Sequence, residues 1–270
     1  MENFIQVDGL KVRYLEEGSG PAVILLHGAS LGSSADVWEG TLGPLAEGGF
    51  HPIAYDQPGF GLSENPQDYG VPYRTQFIMR FMDAIEADRA CLIGHSQAGG
   101  MAVRLAFDHP DRISRVVAAG CGSMLPSLPD QSGSGGAGEG QEGGKSLPTL
   151  EDTRKILENN LFNKSLITTE VLEKRHRMSL GKNFEAFIER SKAPKIPKES
   201  VPLWQRLKEV PVPLLLLYGF QDRGSAAMRC ALLKEREPSL RLEMIDRASH
   251  LIMWDAGKVF NEKVINFLSA

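Results

Sequence analysis

The sequence predicts an α/β fold in which an open, mostly parallel sheet is covered by helices on both faces. Five short runs carry apolar residues at successive positions, a pattern typical of strands that are buried on both sides. Helical stretches separate most of these runs, and alternating strands and helices build such a sheet. The chain has 270 residues, of which 42% are hydrophobic and 24% charged, so it can form one large core with an insertion.

Eight strands are predicted in chain order. Residues 4–7 and 12–15 alternate apolar and polar side chains around Asp8-Gly9, which favours an antiparallel hairpin at a sheet edge. The remaining strands are expected at residues 22–26, 52–55, 90–93, 113–119, 213–218 and 240–245. Core helices are expected around residues 42–47, 73–85, 97–108, 226–235 and 258–268.

The alternation of strands and helices stops between residues 122 and 211. Residues 130–145 include seven glycines among Ser, Gln and Glu, too polar to bury a core, so we expect a mobile loop there. Helices are expected at residues 149–160, 169–180 and 184–192. A helical insertion after the sixth strand predicts a lid over the carboxyl edge of the sheet, where open α/β sheets bind ligands. The expected organisation is a core of residues 1–121, a lid of 122–211 and a second core part of 212–270.

Composition excludes several functional classes. A net charge of -4 and a pI near 5.9 provide no basic face for nucleic acid. No stretch reaches the ~18 apolar residues of a membrane span, and the first residues lack the features of a signal peptide, so we expect a cytoplasmic protein that binds no membrane. The three cysteines are scattered and the six histidines form no H-E-x-x-H pattern. Neither a metal nor another cofactor is expected.

One motif indicates a nucleophile. Residues 94–100 read Gly-His-Ser-Gln-Ala-Gly-Gly directly after a predicted strand, and a strand that turns sharply into a helix would expose the Ser96 hydroxyl. Such a turn strains the serine backbone and requires small neighbours, which Gly94, Ala98 and Gly99 provide. The usual consensus has glycine where this chain has Ala98. The alternative interpretation is a glycine-rich turn with an incidental serine.

The partners that a nucleophilic serine needs follow in the expected order of serine, acid and histidine. His250 is the only histidine after the insertion, and it follows the last predicted strand. Asp222 follows the preceding strand and is the favoured acid, with Asp246 as its rival. The alternative is that Asp222 and His250 are ordinary loop residues.

An oxyanion formed at this site needs two backbone donors. We expect the amide of Gln97, at the start of the helix behind Ser96, and the amide of Ala29, in the loop after residues 22–26. His27 in the same loop is expected to be structural. Asp56 is expected to brace a turn-rich loop at the rim of the site.

Together these residues resemble the α/β-hydrolase superfamily over nearly the whole chain. The resemblance implies the α/β-hydrolase fold, with an eight-stranded, mostly parallel sheet and a helical lid inserted after the sixth strand. The lid is most similar to that of the meta-cleavage product hydrolases, which cut a carbon–carbon bond in ring-opened aromatic compounds during aromatic degradation. The similar segments are residues 148–175, 183–187, 253–254 and 260–268.

By the same resemblance, Arg175 in the lid would bind the carboxylate or dienolate of the substrate, as a forked cation can. The alternative is that residues 174–177 form a solvated basic helix face. The family usually has Asn before the nucleophile and Trp after the histidine, where this chain has His95 and Leu251. His95 would hydrogen-bond the substrate or pack beside the turn, and Leu251 would leave a roomier, less polar pocket. Trp254 is expected to be a pocket wall or a core aromatic residue.

Three hypotheses follow for the function. In the first, His250 deprotonates Ser96, which attacks a 2-hydroxy-6-oxo-dienoate, so that a carbon–carbon bond is hydrolysed. In the second, the same residues hydrolyse a small apolar ester or a lactone, as a carboxylesterase or lactonase would. In the third, the chain is a non-catalytic ligand-binding protein on a hydrolase scaffold. The expected partner is a small, apolar molecule with a carboxylate, and the protein could form a homodimer.

Overall fold

Eight strands form one sheet in the computed structural model, which describes residues 2–128, 146–193 and 201–270. The strand order is β1-β2-β4-β3-β5-β6-β7-β8. The pairs β1–β2 and β2–β4 are antiparallel, and every other pair is parallel, which confirms the predicted sheet. The strands are β1 Glu2–Val7, β2 Leu10–Glu16, β3 Ala22–Leu26, β4 His51–Tyr55, β5 Ala90–His95, β6 Ile113–Ala119, β7 Leu214–Gly219 and β8 Arg241–Ile245.

Helices cover both faces of the sheet, and alternate residues along a strand enter two separate apolar clusters. In β3, Ile24 packs into one cluster while Val23 and Leu25 pack into the other. This explains why the central strands read as continuous apolar runs. The helices are α1 Glu39–Glu47, α2 Val71–Ala84, α3 Gln97–Asp108, α4 Leu150–Glu158, α5 Thr169–Arg177, α6 Lys182–Lys192, α7 Ala226–Arg236, α8 Ile252–Asp255 and α9 Gly257–Leu268.

Within the described ranges, no helix combines the length and the apolarity that crossing a membrane would require.

Helices α4, α5 and α6 lie between β6 and β7 in the chain, in the predicted insertion. Helix α4 begins with a capping box in which Thr149 and Asp152 exchange hydrogen bonds. In α6, the Asn183 side-chain amide donates to the Gly61 carbonyl at 2.9 Å. The insertion therefore packs against the loop that follows β4. The predicted glycine-rich loop at 130–145 lies outside the described residues.

The carboxylate of Asp36 joins this insertion to the sheet. Arg13 of β2 contacts it at 2.7 Å, and Lys174 of α5 approaches the same oxygen at 3.4 Å. Burial opposes the charged form of Asp36, but the hydrogen bond and the charge of Arg13 lower its pKa below the ordinary value. Arg13 also contacts Asp56, whose carboxylate accepts hydrogen bonds from two backbone amides, those of Ala35 at 2.6 Å and Leu62 at 2.8 Å. Asp56 thus braces the turn after β4, as the sequence predicts.

Candidate active site

Ser96 lies at a sharp turn between β5 and α3. Its backbone has φ 57° and ψ −125°, in the left-handed region that non-glycine residues rarely adopt. A Cβ atom on Gly94 would lie 2.5 Å from the carbonyl carbon and oxygen of Ala98, so this position requires glycine. The methyl group of Ala98 itself is fully buried in the apolar cluster that includes Met101. The alanine that departs from the consensus therefore fits the core.

The side chains of Ser96, His250 and Asp222 form a continuous hydrogen-bonded chain. The Ser96 hydroxyl donates to Nε2 of His250 at 3.0 Å, and Nδ1–H of His250 lies 3.1 Å from both carboxylate oxygens of Asp222. The Asp222 side chain is 5% exposed. The rival acid, Asp246, instead accepts a hydrogen bond from Gln221 at 2.9 Å. This arrangement lets a histidine remove a serine proton while the acid holds the imidazole in the required tautomer.

The position of His250 depends on close packing between the backbone of its loop and the backbone at the end of β7. A Cβ atom on Gly219, at the end of β7, would lie 2.3 Å from the carbonyl oxygens of Ala248 and Ser249. The loop that carries His250 therefore approaches the end of β7 closely, and Asp222 follows that strand by three residues. The two loops meet because the carboxyl ends of neighbouring parallel strands lie at the same edge of the sheet.

The two predicted oxyanion donors lie on segments adjacent to Ser96. Gln97 begins α3, so its amide is among the helix N–H groups without an intrahelical partner, at the positive end of the helix dipole. Ala29 follows Gly28, where an added Cβ would lie 3.2 Å from Cβ of Ser96. The role of the two amides remains a prediction.

His95 contacts the backbone of the candidate base. Its Nε2–H donates to the carbonyl oxygen of His250 at 2.9 Å, and the two imidazole rings are 4.7 Å apart. Burial holds the pKa of His95 well below 6.5, and the neighbouring His250 lowers it further, so the ring stays neutral. His95 therefore lies beside the turn with its Nε2 occupied, and contact of His95 with a substrate stays a prediction.

The cavity beside Ser96 has a volume of about 240 Å³. Its described lining includes Ser96, Gln97, Tyr218, Asp222, Arg229 and His250, but neither Leu251 nor Trp254. The Leu251 side chain packs instead into the apolar cluster beside Leu157 and Leu161 of the insertion. Trp254 donates its indole N–H to the Val37 carbonyl at 2.8 Å and lines a separate groove between α1 and α9. Neither side chain lines the cavity beside Ser96, and contact of these two residues with a substrate stays a prediction.

Arg175 lies against the loop that carries Ala29. Its Nη2 donates to the Ser30 hydroxyl at 2.7 Å and lies 3.3 Å from the Ser33 hydroxyl. Burial lowers the pKa of Arg175 to about 10, opposed by the charge of Asp36. Its buried Nε has no hydrogen-bond partner, and its guanidinium forms no ion pair, within the described part of the chain. Arg175 is thus a half-buried cation with an unused donor rather than part of a solvated helix face.

Two further arginines, which sequence reasoning missed, lie close enough to His27 for their charges to act on it. Arg74 of α2 donates to the side-chain oxygen of Gln97, and Arg190 of α6 donates to the Gly59 carbonyl at 2.7 Å. Burial lowers the pKa of His27 to about 3, and the charges of Arg74, Arg175 and Arg190 lower it further. No motif marks Arg74 or Arg190, since each is a single basic residue on an otherwise ordinary helix.

His27 has a structural role between the loops that follow β3 and β4. Its Nδ1–H donates to the Gly28 carbonyl at 2.7 Å, while its Nε2 accepts from the backbone amide of Gln57 at 3.0 Å. Both nitrogens are occupied, so the neutral ring links the loop after β3 to the loop after β4. Over the described ranges, no cluster of three or more His, Cys, Asp or Glu side chains has the arrangement of a metal site.

Comparisons with known proteins agree with this architecture. A family model described as "Alpha/beta hydrolase family" matches residues 23–263. The chain is similar to a 2-hydroxy-6-oxo-6-phenylhexa-2,4-dienoate hydrolase of Burkholderia cepacia, with 28% identity over 97% of this chain and 93% of the relative. It is also similar to a 2-hydroxy-6-oxononadienedioate/2-hydroxy-6-oxononatrienedioate hydrolase of Burkholderia vietnamiensis, with 29% identity over 96% of this chain and 91% of the relative.

Among solved structures, a meta-cleavage product hydrolase from Pseudomonas fluorescens IP01 has a similar fold. The two structures match with a TM-score of 0.78 over 99% of this chain and 97% of the other, at 24% identity. At that level of identity the match concerns the fold alone.

Proposed function

Because the chain belongs to the alpha/beta hydrolase family and is an enzyme, we propose that it is a serine hydrolase that cleaves a carbon–carbon bond in a 2-hydroxy-6-oxo-dienoate. The observation that carries this proposal is the hydrogen-bonded chain from Ser96 through His250 to Asp222 at the carboxyl edge of the sheet. Arg175 of α5 contacts Ser30 in a loop at the same edge. Relatives of similar length are named as hydrolases of such dienoates.

In the proposed reaction, ketonisation first moves a proton onto carbon 5 of the substrate and forms a carbonyl at carbon 2. His250 then accepts the Ser96 proton, and the serine oxygen attacks the carbonyl at carbon 6. The amides of Ala29 and Gln97 stabilise the resulting oxyanion. The bond between carbons 5 and 6 breaks, its electron pair gives the enolate of the ketone at carbon 2, and this enolate takes the proton from His250. His250 then accepts a proton from water, which attacks the acyl group, and returns that proton to the Ser96 oxygen as the carboxylic acid leaves. Asp222 stabilises the imidazolium form of His250 during both transfers.

Arg175 would bind the carboxylate of the substrate in this proposal. Its side chain is half-buried and has no carboxylate partner among the described residues, and a pKa of about 10 keeps it charged at neutral pH. A substrate carboxylate would provide the missing counter-charge through paired hydrogen bonds. The insertion, residues 122–211, would then act as a lid between the core parts 1–121 and 212–270, because α5 carries Arg175 to the loop beside Ser96.

A stopped-flow assay tests the proposal by following the loss of the yellow colour of a ring-cleavage dienoate. Wild-type protein should remove the colour at least about 10³-fold faster than Ser96→Ala, since the variant lacks the nucleophile. Arg175→Gln should raise KM for the dienoate roughly 10- to 100-fold, which is the loss expected for a charge-assisted hydrogen bond. Arg177→Gln is the matched control, because Arg177 is exposed on the same helix. Dienoate loss no faster than in Ser96→Ala, with rapid turnover of a p-nitrophenyl ester, would refute the carbon–carbon assignment.

Hydrolysis of an ester or a lactone is the second candidate. It needs the same Ser96, His250 and Asp222 chain but no ketonisation step. One observation favours it: Nε2 of His95, which replaces the usual Asn, is occupied by the His250 carbonyl. The stopped-flow comparison includes an ester and a lactone for this reason. No turnover of any of the three substrates would instead favour a ligand-binding role.

A further inference from the structure

Residues 121–126, which we call the β6 wall, form one side of the cavity beside Ser96. They follow β6, and Gly122 and Leu125 are among the residues that line the cavity. Ser96 follows β5, and the strand order places β6 on one side of β5 and β3 on the other. The β6 wall therefore lies across Ser96 from the loop after β3, which Arg175 contacts.

One arginine of the second core part holds most of this wall. Arg229 of α7 donates three hydrogen bonds to backbone carbonyls of the wall. Its Nε donates to Pro126 at 2.9 Å, and its Nη2 donates to Gly122 at 2.8 Å and to Leu125 at 2.9 Å. A guanidinium can hold several acceptors at once because its N–H groups point in fixed directions in one plane.

Tyr218 of β7 adds a fourth hydrogen bond, from its hydroxyl to the Cys121 carbonyl at 2.8 Å. Arg229 is 8% exposed and Tyr218 is 1% exposed, and both line the cavity. Within residues 2–128, 146–193 and 201–270, no carboxylate pairs with Arg229. The hydrogen bonds of the Arg229 guanidinium are thus made to the β6 wall.

The two sides of Ser96 would receive different parts of the substrate in the proposed function. Arg175 would hold the carboxylate on the side of the loop after β3. The carbonyl at carbon 6 must lie beside the Ser96 hydroxyl, so the group attached to carbon 6 would point toward the β6 wall. The chain just before this wall also lies close to the base, since a Cβ atom on Gly120 would be 3.3 Å from Nδ1 of His250.

We propose that Arg229 is a positioning residue that fixes the β6 wall and thereby determines which acyl groups Ser96 can attack. The inference rests on the proposed function, in which Arg175 holds the opposite end of the substrate. Arg229 acts through the backbone of residues 122–126 rather than on the reacting atoms. Because its hydrogen bonds prevent the wall from moving back for a larger group, the cavity keeps its volume of about 240 Å³.

Binding of two boronic acids tests the role of the wall without a dienoate. The Ser96 oxygen forms a bond to boron while its proton passes to His250, so the organic group of the probe lies where the acyl group would lie. Wild-type protein should distinguish methylboronic from phenylboronic acid by roughly tenfold or more in Kd, and Arg229→Gln should reduce that ratio at least about fivefold. Lys234→Gln is the control, because Lys234 is exposed on the same helix, and it should leave the ratio unchanged.

Two milder variants keep the test decisive if Arg229→Gln does not fold. Arg229→Lys retains a charged donor and should preserve part of the ratio. Tyr218→Phe removes a single hydrogen bond from the wall and should reduce the ratio by a smaller factor than Arg229→Gln. Calorimetric titration measures both dissociation constants, and thermal unfolding of each variant shows whether it is folded.

A purely structural role for Arg229 predicts a different result. Both boronic acids would then bind more weakly by the same factor in a folded variant, and that outcome would overturn the proposal. So would a wild-type protein that binds the two probes equally or binds neither of them.

Dienoate turnover separates this inference from the proposed function. A ratio that falls as expected in a protein that turns over no dienoate would support the role of Arg229 although the proposed function fails. Rapid dienoate turnover, with a ratio that stays unchanged in the folded Arg229 variants, would leave the proposed function standing and refute the positioning role.

Discussion

Replacing His95 tests whether the residue before Ser96 serves the candidate base or the substrate. His95 is 4% exposed, and it donates the 2.9 Å hydrogen bond to the His250 carbonyl. His95→Leu removes that donor and leaves a buried acceptor unsatisfied, which costs about 1–3 kcal/mol. For a domain of this size, each kcal/mol lowers the melting temperature by about 2–4 °C, so we expect a decrease of roughly 2–12 °C.

The same change should slow the reaction more than it weakens binding. Without the hydrogen bond from His95 the His250 backbone can shift, and a displacement of the imidazole by about 1 Å costs up to about 10²-fold in rate. We therefore expect kcat to fall roughly 10- to 100-fold and KM to stay within about twofold, because the described lining of the cavity does not include His95. Steady-state kinetics on the substrate that wild-type protein turns over, with calorimetry for stability, measure both effects. His95→Gln keeps a side-chain donor and should recover part of each loss. A raised KM with unchanged kcat would show that His95 contacts substrate, and would refute this reasoning.

Three further predictions follow from the geometry. Asp222→Asn should lower kcat by about 10⁴-fold with little change in the folded structure, because the amide cannot hold His250 in the required tautomer; a loss below tenfold would contradict the pairing. The pKa of His27 is about 3 in the folded chain and 6.5 in the unfolded chain, so between these pH values only the unfolded chain binds a proton there. Acidification from pH 6.5 therefore favours the unfolded state, and the free energy of unfolding should fall by up to about 1.4 kcal/mol per pH unit. Urea unfolding at pH 7 and pH 5 should show a smaller decrease for His27→Gln, and an equal decrease would argue against a neutral, buried His27. Gly94→Ala should destabilise the protein by about 3 kcal/mol or prevent folding, whereas Gly257→Ala, with open space around it, should be tolerated in the same unfolding assay.

The proximity of Ser96, Asp222 and His250 could be predicted from the sequence, because each follows a strand and the carboxyl ends of parallel strands lie at one edge of the sheet. The sharp turn at Ser96 was equally predictable, since its small neighbours are required locally. These inferences depend on short-range patterns and on one rule of sheet topology. They need no knowledge of side-chain packing.

Other site residues depend on distances that no local pattern contains. The partner of His95 is a backbone carbonyl 155 positions away in the chain. Leu251 was expected at the site because the family usually has Trp at that position, but its side chain packs into an apolar cluster, and Trp254 lies at the groove beside α1. Helix α5 ends at Arg177 rather than at the predicted residue 180, and Gly181 then adopts φ 55°.

Asp36 couples the stability of the fold to the charge of Arg175. The carboxylate that pairs with Arg13 in the sheet also contacts Lys174, and its charge favours the protonated form of the neighbouring Arg175. A mutation of Asp36 would therefore alter stability, the attachment of α5 and the charge state of Arg175 together.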